Sequence, residues 1–359
     1  MVFSCMARSA AWLSGWYNPA MSPSPEVTLF LPGLLPSRAL VENIPAAQRP
    51  HLKELETLLA RAEVSDWGTG DVDTDLFHLF GIEVDVPPVA ALTARAEGFD
   101  VVEEEEWLRA DPVCLVPDRD DLVMVAEAVT LDAAESTQLR ETLNAHFAAE
   151  GWRLEAVSPG PWFVRLDGPA DIATTPPAQV LGRGIRPHLP RGAGAPRWRR
   201  ALNEAQMLLH DHPVNRQREG EGRPAVNSIW FWGGGALPPR GTTRWDGIHG
   251  EGELLRALAD YHGIPCAPSA HLLADAQITG KRLLLVSDAC ARAAQQGDPL
   301  AWLEAVAEAQ SRWLVPLARR GARLTILPGD GRALRVAGAR RGLRRLWPRR
   351  RPLERWLAP

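Results

Sequence analysis

Between His210 and Gly235 the sequence reads HDHPVNRQREGEGRPAVNSIWFWGGG, which gathers two histidines, two asparagines, three arginines and a triple glycine. Arginine offers fork-like hydrogen bonds to carboxylates and phosphates, and glycine lets backbone amides approach an anion closely. That combination makes His212, Asn215, Arg216, Arg218, Asn227, Gly233, Gly234 and Gly235 candidates for holding an anionic or phosphorylated small molecule. A second arrangement suits the same residues equally well: His212 and Asn215 tie the segment to itself, with the arginines in solvent. His210 and His212 are two apart, so they do not share a helical face as the paired histidines of zinc helices do. The glycines match neither GxxxxGK[ST] nor GxGxxG, and a GxSxG elbow is absent.

Several elements must position this segment. Residues 27–31 (VTLFL) form a short apolar run stopped by Pro32 and Gly33, a buried first strand followed by a turn. Leu52, Leu55, Leu58 and Leu59 mark an apolar helical stripe within 46–61, followed by a loop-rich zone to about Gly98. From 107 to 167 two hairpins, turning at 117–121 and 158–161, flank a helix over 132–150. Residues 171–197 look too rich in Gly, Pro, Thr and Arg for regular structure, and long ordered loops of this kind usually serve a site or a partner.

Trp198, Leu202, Ala205, Leu208 and Leu209 then define a helix that stops near His212, before Pro213. Residues 226–232 read as a buried strand ending in the glycine turn. Finally RLLLVSD, a helix capped by Asp298 and bent or ended at Pro316, and RLTILPGD form a strand-helix-strand unit, so both ends of the chain share one parallel sheet. The resulting division is 1–26 as an extension, 27–100 with 236–336 as an α/β core, 101–235 as an inserted α+β region, and 337–359 as a basic tail.

Composition bounds the function classes. The 359 residues are 45% hydrophobic and 23% charged with a net charge of −4, which excludes disordered and collagen-like chains. Cys5, Cys114, Cys266 and Cys290 fit no zinc spacing, and with no apolar run long enough to span a bilayer a reduced cytoplasmic setting is expected. Residues 1–20 make a poor signal peptide, and Met21 is the expected start of translation. From Arg332 to the end there are ten arginines against Glu354 alone. Such a tail is more often a solvated end than a nucleic-acid site.

The motifs LNEAQMLLHDHPVN, GRPAVNSIWFWGGG and HLPRGAGAPRWRR resemble a bacterial family of regulatory proteins of the RpfE type, often labelled phosphoglycerate mutase. More remotely, the chain resembles the archaeal-type, cofactor-independent phosphoglycerate mutases of the alkaline-phosphatase superfamily. That resemblance implies an α/β sheet of the same kind, two divalent metals held by Asp and His at strand ends, and a Ser or Thr nucleophile. This chain departs from the pattern: Pro32 stands where the family has an aspartate, Gln295 or Gln296 where it has a histidine, and Gly331 where an Asp-His pair would end. Asp288 and Asp330 remain as a residual acidic site.

The expectation is therefore a degenerate, non-catalytic relative with a binding or regulatory role and no resident cofactor. The alternatives are an active mutase or phosphatase using Mn or Mg at an atypical site, and a scaffold for protein partners.

Overall fold

The computed structural model describes residues 24–42, 44, 52–125, 129–157, 159–272, 281–337 and 352–357. The extension with the expected start at Met21, Cys5, Ser158 of the second hairpin turn, and most of the basic tail lie outside the described residues.

The chain enters through β1 (Glu26–Phe30), α1 (Arg38–Glu42), α2 (Lys53–Leu59) and β2 (Glu63–Asp66), then α3 (Val72–Leu79) and α4 (Val89–Ala96). The loop-rich zone expected up to Gly98 is thus corrected to a strand and two helices. Asp71 starts α3 by accepting the Thr74 amide at 2.9 Å, and α4 (VAALTARA) is so short-chained and so fully buried that it shows no amphipathic stripe to read.

Next come β3 (Glu106–Val113), the hairpin β4 (Leu115–Asp118) and β5 (Asp121–Met124), α5 (Ala133–Phe147), β6 (Leu154–Glu155) and β7 (Phe163–Leu166). Asp132 and Glu135 close a reciprocal capping box at the start of α5. The 171–197 stretch is irregular but anchored, since Ala173 and Arg191 pair across it and Trp230 Nε1 donates to the Thr175 carbonyl at 2.8 Å. Then follow α6 (Ala195–His210), α7 (Pro213–Gly220) and β8 (Ser228–Ala236). Beyond them are β9 (Gly247–Gly250), α8 (Glu253–His262), β10 (Cys266–Ala267), β11 (Arg282–Val286), α9 (Ala289–Gln295), α10 (Pro299–Ala309), α11 (Val315–Arg319), β12 (Arg323–Leu327) and β13 (Arg332–Val336).

A π-helical turn at Gln310–Leu314 joins α10 to α11 directly before Pro316. Proline lacks the N–H that the regular ladder needs, and the widened turn absorbs that loss without ending the helix.

Two sheets result. The described strands of the first run β10-β9-β11-β1-β12-β13-β2, with β1 parallel to both β11 and β12 and with β13 and β2 antiparallel at one edge. Central strands such as LLLV and VTLF are apolar on both faces because helices cover both. The second sheet, β6-β7-β3-β8, is antiparallel. One of its faces carries the Trp152, Trp198 and Phe231 cluster beneath α5 and α6, and the other carries α4.

The triple glycine is part of β8 and not a turn after it, which corrects the earlier reading. A Cβ on Gly235, whose φ is +145°, would stand 2.8 Å from the Pro88 Cβ, and one on Gly233 would stand 3.0 Å from the Val89 Cβ. The glycines thus let the start of α4 lie against the strand. Gly235→Ala is expected to lower stability by about 2 kcal/mol through backbone strain and overpacking; a urea midpoint equal to that of wild type would contradict this packing role.

Candidate functional site

The polar segment that opened the sequence is helical: α6 ends at His210, and α7 begins at Pro213 with His212 as its N-cap. His212 Nδ1 accepts the Val214 amide at 3.2 Å while Nε2 lies 3.0 Å from Thr142 Oγ1. Burial first, and Arg216 second, push the ring below its ordinary pKa. A neutral imidazole protonated on Nε2 satisfies both contacts.

Asn215 donates to the carbonyls of Leu209 (2.7 Å) and Val226 (2.8 Å) and accepts the Val226 amide (2.8 Å), which clips α6, α7 and the lead into β8 together. Asn227 does the same for the hairpin, exchanging both bonds with the backbone of Leu115 at 2.8 and 2.7 Å. Arg218 is 1% exposed and donates to Pro224 and Thr130 carbonyls and to Glu135 at 2.9 Å. Of the expected ligand set, Arg216 is exposed and Gly233 lies elsewhere, on a cleft described below. His212, Asn215, Arg218 and Asn227 all hydrogen-bond the fold itself, because backbone groups between short elements require partners when buried.

At the C-terminal edge of the parallel sheet, where open α/β folds place their chemistry, β1, β11 and β12 end side by side. Ser287 N donates to the Phe30 carbonyl and Gly33 N to that of Pro328. This edge is packed. A Cβ on Gly33 would lie 2.7 Å from the backbone of Ala291 in α9, and Trp302 Nε1 caps the Gly33 carbonyl at 2.9 Å.

Pro32 and Gly331 bring no donor side chain, and Gln295 ends α9. Asp330 is held by Arg332, with Nε at 2.9 Å, and Asp288 is paired with Arg292 at 3.4 Å. Among the described residues no three His, Cys, Asp or Glu side chains are grouped to hold a metal ion. The donor set at this edge does not fit the metal pair that the mutase resemblance implies.

A cleft of about 620 Å³ opens instead between α3, residues 83–89, residues 173–179 and β8. Asp71, Asp73, Glu83 and Asp85 line it with His78, which sits 3.4 Å from Glu83. Asp71 caps α3 and also receives Gln179 Nε2 at 3.2 Å. Burial, and then the charge of Asp71, push the Asp73 carboxyl up to about 6. Sequence reasoning misses these acids, because the stretch that carries them is expected to be rich in loops. Their signal was the DVDTD spacing, in which alternate residues divide between the cleft and the buried Asp75 that holds the Thr69 amide at 2.6 Å. A cleft with this charge repels phosphate esters.

Comparison with known proteins identifies what the geometry is related to. The family model for 2,3-bisphosphoglycerate-independent phosphoglycerate mutase matches residues 69–215. The likeness is remote. It begins at α3 and ends at Asn215, so every strand of the seven-stranded sheet lies outside it.

A Geobacter sulfurreducens protein named "Probable 2,3-bisphosphoglycerate-independent phosphoglycerate mutase" is 29% identical over 208 residues, 54% of this chain and 50% of that protein. A 2,3-bisphosphoglycerate-independent phosphoglycerate mutase of Methanothrix thermoacetophila is 38% identical over 89 residues, 24% of this chain and 22% of its own length. The matches thus span at most about half the length of these relatives. The solved structure of the PH0037 protein from Pyrococcus horikoshii superposes with a TM-score of 0.50 at 15% identity, covering 88% of each chain, and shows the same α/β fold. No helix among the described residues is long and apolar enough to cross a membrane.

Proposed function

We propose that this phosphoglycerate-mutase-like chain no longer transfers phosphoryl groups and serves as a binding protein with a regulatory role. The observation that carries the reading is the packed strand edge, where α9 lies against Gly33 and the two remaining acids, Asp288 and Asp330, are each engaged by an arginine. Metal-assisted phosphoryl transfer needs ligands that hold the ions open to substrate and fix the attacking group. Supporting the reading, the acidic cleft next to β8 opposes entry of an anionic substrate from that side.

A coupled assay with 3-phosphoglycerate tests this directly. Purified full-length protein is expected to give no turnover above background with or without Mn²⁺. Metal-dependent turnover that disappears in Asp288→Ala and Asp330→Ala would replace this reading with the active-mutase one.

A further inference from the structure

A second cavity, of about 430 Å³, lies at the opposite, N-terminal end of the parallel strands. Its origin is a run of short side chains on one sheet face: Thr28 on β1 is in register with Thr325 on β12, and Ala333 follows on β13. Leu284, Phe30 and Leu327 fill the other half of that face, so the small residues leave a hollow. Five arginines line it, Arg61, Arg244, Arg282, Arg323 and Arg335, against Glu26 and Glu63, a surplus of three positive charges.

Their arrangement leaves capacity for a ligand. Arg323 pairs with Glu26, and Arg282 reaches Asp246 at 3.6 Å, outside the lining. Arg335 meets only the neutral Ser65 hydroxyl, at 2.8 Å, while Arg244 lies over the Trp245 ring at 5.0 Å. On the floor, Thr28 is 6% exposed and lines the cavity, where its hydroxyl can donate to or accept from a group that fills the hollow. Trp67 and Trp245 supply flat walls.

We infer that this basic cavity binds an oligophosphate group, carried either by a nucleotide or by an inorganic chain. Arg244 and Arg335 stand on the rim without a carboxylate partner among the described residues, and with Arg323 beside them they offer several guanidinium forks, which suits a chain of two or more phosphates better than a single one. The site is remote from the strand edge that bears on phosphoryl transfer, so it stands whether or not that edge is active.

Isothermal titration calorimetry of the full chain with tripolyphosphate, ATP and orthophosphate tests the inference. Tripolyphosphate is expected to bind at least tenfold tighter than orthophosphate. Arg244→Ala with Arg335→Ala is expected to weaken it at least tenfold, and Thr28→Val severalfold with no change in melting temperature. ATP binding tighter than tripolyphosphate would identify the nucleotide source, and equal affinity the inorganic one. No binding of either, or binding that survives the cavity variants but is lost when Arg340, Arg341, Arg344 and Arg345 become glutamine, would overturn the assignment.

Discussion

Replacing Arg218 by alanine is expected to lower the free energy of unfolding by about 2–4 kcal/mol, because it removes a charge-assisted bond from a buried carboxylate and orphans two carbonyls. Arg218 is buried within 3.0 Å of two carbonyls and a carboxylate. Its loss takes from Glu135 its buried partner and leaves it with Arg223 at 2.8 Å and the Asp132 amide of the α5 capping box. The damage therefore reaches three places at once: the start of α5, the end of α7 and the lead into β8.

Arg216→Ala, two residues earlier and exposed, is expected to change stability by less than about 0.5 kcal/mol. Urea denaturation of the two variants side by side is the measurement. Equal and small losses would mean that Arg218 is not structural and would return it to the ligand candidates.

Asp73→Asn is expected to stabilise the protein at neutral pH. The folded carboxyl titrates at about 6, above the value of roughly 4 that an unfolded aspartate shows. Below pH ~4 the group is protonated in both states and costs nothing. Between about pH 4 and pH 6 the unfolded carboxyl has released its proton while the folded one, buried beside Asp71, still holds it, so stability falls across that window and levels off above about pH 6. The asparagine variant escapes the loss, so its advantage should grow from near zero at pH 4 to at most about 3 kcal/mol at pH 7. Denaturant melts at four pH values read this out. An advantage that does not change with pH would show that the gain has a cause other than the charge.

Much of the framework was legible in the sequence. β1, β11 and β12 are short apolar runs bounded by proline, glycine or aspartate, and the α10 start was marked by Asp298, whose carboxylate accepts the Leu300 and Ala301 amides at 3.0 and 2.9 Å. These features depend on neighbours a few residues away, which a linear reading can see. α4 was not legible, because its first six residues are all buried and it is only eight residues long, too short for a clear polar stripe. The glycines of β8 looked like a turn because their partner, the start of α4, lies well over a hundred residues earlier in the chain.

The site was harder still. The sequence by itself determined that Pro32 and Gly331 bring no metal-binding side chain and that Gln295 or Gln296 brings an amide where the family has a histidine. It also supplied the residue types HPVN…R…N that suited either a ligand or the fold. Only the tertiary structure shows which bonds they make. Whether a donor is spent or available depends on which backbone groups long-range packing brings against it: Asn227 meets Leu115, 112 residues away, and Arg218 meets Glu135, 83 residues away. The same packing gathered arginines from five separated segments into one hollow and acids from α3 and the following segment into another, groupings that exist in space and nowhere along the chain.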